Sequence, residues 1–242
     1  MGKSGGRLAN KFLGLGLILL VAVMVPIVPL LQGYGDRIAD TEKERAGVAV
    51  HRALRLVLQD LQRHRGATTS LLSGKEEFRG RADKARSGVD EAIAGADAAM
   101  LRQGAMIGAI ADWDQFKADW QVLKGEYGKW APPTNIRQHT ELIARLLALM
   151  GTVADRSGLV LDPDLDSYYT MDVAILQVPA VTERMGQGRA LGALVLSEKV
   201  LGQERRDALL DAYAEMRLRE KAIISGLEKV FAAVGPSRAG LK

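Results

Sequence analysis

From Phe12 to Gly35 the chain reads FLGLGLILLVAVMVPIVPLLQGYG, 24 residues without a charge. As a helix rising 1.5 Å per residue it extends about 36 Å, enough to cross a hydrocarbon core of about 30 Å. Nothing else in the chain is as restrictive, because backbone inside lipid must satisfy its own hydrogen bonds and does so here as helix. The run is longer than the roughly 7–15 apolar residues of a cleavable signal peptide, and no A-x-A-like site follows it. An uncleaved anchor is expected, with a signal peptide as the competing reading. Pro26 and Pro29 lie toward its far end, where a kink is tolerated.

The flanks set the orientation. Lys3, Arg7 and Lys11 precede the run and no acid appears before Asp36, so the N-terminus is expected to stay in the cytoplasm. The expected division is a basic cytoplasmic tail over 1–11, a transmembrane helix over 12–35, an extracytoplasmic helical domain over 36–235 and a C-terminal tail over 236–242. That places the bulk outside the inner membrane, in the periplasm of a Gram-negative cell. The later apolar stretches ALGALVLSEKVLG and AIISGLEKVFAAVG are short and charged, so a single crossing is expected.

Charge and composition exclude several classes. With those three basic residues set aside, 30 bases face 29 acids, so the pI of about 9.3 does not argue for a nucleic-acid partner. The absence of cysteine rules out disulfides, thiolate zinc sites and cysteine nucleophiles. Aromatics are only 5% and the long segments are rich in Ala, Leu, Glu, Arg and Lys, a mix that favours helix.

Periodicity agrees. Leu54, Val57, Leu61, His64, Thr68 and Leu71 alternate steps of three and four, the seam of a helical bundle. Gly74 closes that helix, and Ser73 to Glu76 fits a capping box for the next. The following region reaches Trp130 and breaks in two if the glycines near Gly104–Asp112 interrupt it. Thr134 or Asn135 is expected to cap a helix with Leu142, Leu146, Leu149, Val153, Arg156 and Val160 on its seam. Asp162-Pro163 then reads as a cap and first-turn proline. Tyr168, Met171, Ile175, Val178, Thr182, Met185, Arg189, Gly192 and Leu196 form the next seam, with a kink expected at Pro179. A last amphipathic helix runs from about Glu204 to Ala233 and ends at Gly235-Pro236. The expected fold is all-α, an elongated up-and-down, four-helix-bundle-like structure continuous with the transmembrane helix, with five or six helices outside the membrane.

Bases interrupt these seams at His64, Arg156 and Arg189, and a bare buried charge is costly. Two readings stay open: internal pairing with acids such as Asp155, Asp172 or Glu183, and a pocket between helices awaiting an anion, to which arginine forks are matched. The second makes His64, Arg65, Arg156, Tyr168, Tyr169 and Arg189 candidate ligand-binding residues. DPDLDSYY, from Asp162 to Tyr169, begins like a calcium loop but has Ser167 for the glycine and Val173 for the bidentate glutamate, so helix capping is the better account. Gly186 to Gly192 lacks the strand context of a nucleotide loop; small residues there let helices approach closely. His51 and His139 have no metal-ligand spacing, and no acid pair or nucleophile elbow is present. No metal, cofactor or enzymatic activity is expected.

Residues 44–74, ERAGVAVHRALRLVLQDLQRHRGATTSLLSG, and 157–172, SGLVLDPDLDSYYTMD, together resemble the extracytoplasmic sensor regions of bacterial methyl-accepting chemotaxis receptors. Related regions occur in membrane-bound histidine kinases and diguanylate cyclases. The Q-x-H-R-G element, Gln62 to Gly66, is similar to the start of nitrate/nitrite-sensing helical domains. The resemblance implies a periplasmic sensor for signal transduction or chemotaxis that binds a small anionic ligand between helices. His64, Arg65, Arg189 and the Tyr168–Tyr169 pair are the residues it carries over. It also implies a parallel homodimer, with output through a signalling partner chain, since the signalling domain of such receptors is not in this sequence. The alternative is a structural or interaction module anchored in the cell envelope.

Overall fold

The structure is a computed structural model that describes residues 4–160 and 164–234, with side chains described from Phe12 onward. Asp162-Pro163, the Gly235-Pro236 stop, the 236–242 tail and the side chains of Lys3, Arg7 and Lys11 lie outside the described residues. Helices α1 (Ser4–Leu72), α2 (Arg79–Ile107), α3 (Ile110–Glu126), α4 (Pro132–Arg156), α5 (Leu165–Met171), α6 (Val178–Glu198) and α7 (Gln203–Val234) account for nearly all of it. Among the described residues there is no strand. The chain forms two compact units, Met1–Glu42 and Lys43–Lys242. In the first, α1 is continuous through Pro26 and Pro29, and its large apolar side chains from Phe12 to Leu31 are exposed except for Ile27, which is partly buried. α1 is the one described helix long and apolar enough to cross a membrane.

The second unit begins with a four-helix core. Val50, Leu54, Val57 and Leu61 of α1 meet Val89 and Ile93 of α2, Trp113 and Trp120 of α3, and Leu146 and Val153 of α4. Neighbouring helices run antiparallel, as the pairs His64–His139 and Thr68–Asn135 show for α1 and α4. The α2–α3 contact repeats after one heptad. Asp97 accepts from Trp113 Nε1 at 2.7 Å and from Lys117 Nζ at 2.9 Å. Asp90 accepts from Trp120 Nε1 at 2.9 Å and from Lys124 Nζ at 2.6 Å. Each buried indole thus keeps its N–H satisfied by a carboxylate that a lysine also neutralises.

α2 and α3 are separate helices, broken at Gly108, whose φ of 69° is the left-handed cap that glycine adopts freely. Among the described residues six helical rods therefore follow the apolar run in sequence, counting the remainder of α1 as the first and α5–α6 as one. Two expected caps are replaced. Ser73 Oγ donates to Thr69 O, so no capping box forms, and a 3₁₀ turn over Glu76–Phe78 leads into α2. α3 starts two residues before Asp112 without a side-chain cap. α4 starts at Pro132-Pro133, whose fixed φ and missing N–H suit a first turn, and this frees Asn135 to serve α1. Arg156 is not on the α4 seam. It projects outward at the helix end, bonding Gly108 O and Asp112, and so ties down the α2–α3 corner.

The largest correction concerns α5–α6. Residues 165–198 form one rod, but Asp172–Gln177 is a π-helical turn immediately before Pro179. Proline lacks an N–H and its ring collides with the carbonyl four residues back, here Ile175, so a widened turn accommodates it instead of a simple kink. The inserted residue advances the buried face by one position. The expected Val178, Thr182, Met185 and Arg189 are replaced by Pro179, Glu183, Gly186 and Ala190. Met185 and Leu196 are exposed in consequence. α7 lies antiparallel on this rod through Glu198–Arg205, Glu215–Arg184, Arg219–Gln177 and Lys229–Tyr169. Gly226 lets it come close, since a Cβ there would lie 2.8 Å from Val173 Cγ2 in the π turn.

Candidate functional site

Successive residues of a helix point about 100° apart, so the run Arg63-His64-Arg65-Gly66 on α1 sends its members to different neighbours. His64 turns into the four-helix core. Its Nδ1 lies 2.8 Å from His139 Nε2, and His139 Nδ1 lies 2.8 Å from Asn135 O. The carbonyl can only accept, so His139 carries its proton on Nδ1 and His64 donates from Nδ1, leaving His64 Nε2 a bare acceptor. Trp120 and Tyr127 meet the His64 ring edge-on at 5.3 and 4.9 Å. Burial pushes His64 down to about 4, Arg86 adding to this and Asp90 opposing it. Burial likewise holds His139 well below the ordinary histidine value, with His64 and Arg65 acting in the same direction and the Asn135 carbonyl against. The dyad is neutral at physiological pH.

Arg65 turns the other way, between α1, α4 and α6, and is 1% exposed. Its Nη1 donates to Glu183 Oε1 at 2.6 Å and to Thr140 Oγ1 at 3.0 Å, and its Nη2 donates to Glu183 Oε2 at 3.1 Å. The Glu183 carboxylate also accepts from Gln62 Nε2 at 3.1 Å and Gln187 Nε2 at 2.8 Å. Arg65 Nε has no hydrogen-bond partner. A buried fork matched to a carboxylate is a strong, directional pair, and Glu183 is the partner among the three acids anticipated. Thr68, Thr69 and Asn135 form a neighbouring buried network, with Asn135 Nδ2 donating to Thr69 Oγ1 at 2.9 Å.

Beside Gly66 opens a cavity of about 890 Å³ between α1, α2 and α6. Arg63, Arg81, Lys84 and Arg189 line it, with Asp60 and Glu91 among the acids. Arg63 is paired with Asp60. Arg189 has no carboxylate partner among the described residues. The two helices exchange arginines across glycines: Arg189 Nη2 of α6 lies 3.8 Å from where a Gly66 Cβ would stand, and Arg65 Nη2 of α1 lies 2.6 Å from where a Gly186 Cβ would stand. A side chain at Gly186 would collide with the guanidinium; one at Gly66 would only touch it.

Of the six candidate residues, the structure sets Arg65 and Arg189 each against a glycine of the other's helix, with Arg189 at the cavity wall and Arg65 outside its lining, and places His64 in the adjacent core. Arg156 is at the α2–α3 corner. Tyr168 and Tyr169 pack edge-on at 5.1 Å, and Lys229 of α7 caps the Tyr169 ring at 4.3 Å; neither tyrosine lines the cavity. His139 was missed as a partner, although one step back along its seam from Leu142 lands on it. Glu183 was among the acids anticipated for pairing, and the register shift is what turns it inward onto Arg65.

Residues 56–233 match the family described as nitrate and nitrite sensing. The chain belongs to the nitrate- and nitrite-sensing family. No curated protein matches it. Among solved structures it is similar to the NasR transcription antiterminator, with a TM-score of 0.68 at 20% identity over 88% of this chain. The likeness covers 57% of that protein's length, and at this identity it establishes a shared fold. The Q-x-H-R-G element thus lies inside a nitrate- and nitrite-sensing domain, near its start.

Proposed function

We infer that this nitrate- and nitrite-sensing domain is held at the outer face of a bacterial inner membrane by residues 12–35. There it binds a small planar oxyanion between α1 and α6 and does no chemistry on it. The single observation that carries this is the exchange of Arg65 and Arg189 across Gly186 and Gly66. It sets a guanidinium from each helix at the α1–α6 contact, Arg189 at the wall of the open cavity and Arg65 buried behind it against Glu183, and guanidinium forks match the trigonal oxygens of nitrate or nitrite. The family match supplies the ligand class. Three basic residues before the apolar run support a cytoplasmic N-terminus, and the uncovered apolar side chains from Phe12 to Leu31 support a lipid surrounding. Occupancy would alter how α6 sits on α1, which continues into the membrane segment, and the output would pass to a signalling chain, chemotactic or otherwise. Exposed Leu210, Tyr213, Ile224, Leu227 and Phe231 on α7 supply a face for a parallel homodimer. The same face favours the second reading, an envelope interaction module.

Thermal denaturation of the full chain in detergent separates the two. At 100 times its dissociation constant, nitrate stabilises a binding protein by about 2.7 kcal/mol, and chloride at equal ionic strength does not reproduce the shift. Arg189→Met, at an exposed position without an ion pair, should change the ligand-free stability by less than about 0.5 kcal/mol and abolish the nitrate response. A wild-type chain indifferent to nitrate and nitrite leaves the interaction module as the better account.

A further inference from the structure

Among the described residues of the second unit Arg65 is the most deeply enclosed arginine or lysine, and the side chain it holds is an anion supplied by the chain itself. The Glu183 carboxylate has two oxygens in one plane, set against a guanidinium fork and two carboxamides from Gln62 and Gln187. Thr140 adds a hydroxyl to the same guanidinium. Four donated hydrogen bonds from two helices, converging on one trigonal group, form the kind of nest that recognises a free planar oxyanion. The nest is not fully used: Arg65 Nε is buried with no partner, so the end-on grip of Glu183 leaves one N–H of a charged donor unsatisfied. Gly186 keeps α6 close enough for this grip, because any Cβ there would meet Arg65 Nη2. Arg189, without a carboxylate partner among the described residues, sits next to Gly66 at the wall of the open cavity.

We propose that Glu183 is a built-in competitor for the oxyanion site: its carboxylate occupies the Arg65 fork, and nitrate binds by displacing it. This rests on the reading of the chain as a nitrate or nitrite sensor and adds the residue that sets its affinity and couples it to movement. Arg65 keeps one anion throughout, and the displaced Glu183 carboxylate, buried while it is paired, has to move out toward water, which favours a shift of α6. What changes is attachment. Glu183 belongs to α6 and a free oxyanion belongs to no helix, so the exchange breaks a direct α1–α6 link through Arg65 and lets the two helices shift. The competing carboxylate lowers the apparent affinity by the fraction of chains in which the fork is closed. Weakening the competitor should therefore tighten nitrate, whereas an ordinary structural ion pair would weaken it or leave it unchanged when cut.

The test is isothermal titration of sodium nitrate into the full chain in detergent, for wild type, Glu183→Gln and Glu183→Asp. Glutamine keeps the shape and removes the charge. Aspartate keeps the charge but is one methylene too short for the full fork, and it preserves charge balance should the glutamine variant fold poorly. The proposal predicts nitrate affinity at least tenfold tighter in Glu183→Gln and at least threefold tighter in Glu183→Asp. Should Glu183→Gln fold only in nitrate, that anion-dependent recovery would support the proposal, provided Glu183→Asp binds more tightly than wild type. Nitrate binding to wild type that is unchanged or weaker in the folded variants overturns the role of Glu183 and leaves the sensor reading standing. Nitrate binding to none of the three overturns both.

Discussion

Acidification should destabilise this domain before its carboxylates protonate, and the buried histidines set by how much. His51 is 5% exposed, and burial lowers it to about 4, with the Ile175 backbone opposing and Arg55 assisting. His64 is lowered to the same region, and burial holds His139 well below the ordinary histidine value. Each folded value lies below the unfolded value of about 6.5, so between these two the unfolded chain binds the extra proton. The stabilisation is complete above about pH 6.5 and is lost as pH falls toward 4. From pH 7.5 to 5.0 the loss spans about 1.5 pH units below the unfolded value, at about 1.4 kcal/mol per unit. That is about 2 kcal/mol for each of His51 and His64, or about 4 kcal/mol together, with His139 adding in the same direction. For a chain of this size 1 kcal/mol moves the midpoint about 2–4 °C, so Tm should fall by about 8–16 °C. Circular dichroism melts of the full chain in detergent at pH 7.5, 6.5, 5.5 and 5.0 read this directly. His64→Leu should remove about 2 kcal/mol of the pH dependence while lowering stability at pH 7.5, because His139 Nε2 loses its donor. A Tm constant within 3 °C over that range, or a His64→Leu slope equal to wild type, would refute the assignment of neutral buried histidines.

Other consequences follow from close packing. Trp120→Ala empties the centre of the α1–α4 core and removes one donor from Asp90, so it should cost about 3–5 kcal/mol in a denaturant titration. Gly47→Ala puts a Cβ 2.5 Å from Ser157 Cβ and should cost about 1–3 kcal/mol. Adding Ser157→Gly should recover much of that loss in a double-mutant cycle, because the two closest contacts belong to that side chain and the third, Leu159 Cδ1, lies farther off at 3.0 Å.

The elements that could be read in advance were those whose information is local. The α1 seam through Leu54, Val57, Leu61 and His64 is buried as its spacing requires, and α7 begins within one residue of its expected start. The α2–α3 break followed from glycine, and Gly108 in the left-handed region is the reason. Register failed where a non-local turn intervened. A π turn at Asp172–Gln177 leaves no clear mark on a 3.6-residue pattern except the proline two residues on, and one inserted residue was enough to bury Glu183 and turn Arg189 outward. The caps failed because Ser73 and Asn135 had better partners in three dimensions, Thr69 O and the Thr68–Thr69 pair. The basic cluster around His64 drew notice from its composition. Its division among a histidine dyad, a buried ion pair and an open cavity depends on helices 75 to 121 residues away. The Asp–Trp–Lys repeat between α2 and α3 was visible in principle, since Asp90 and Asp97, Trp113 and Trp120, and Lys117 and Lys124 are each one heptad apart.

A crystal structure of the full chain grown in nitrate would bear most directly on the central idea. The account predicts trigonal density within hydrogen-bonding distance of the Arg65 and Arg189 guanidinium groups, with Glu183 moved off the fork. Nitrate bound away from α1 and α6, or absent with Arg65 and Glu183 still joined, would contradict it.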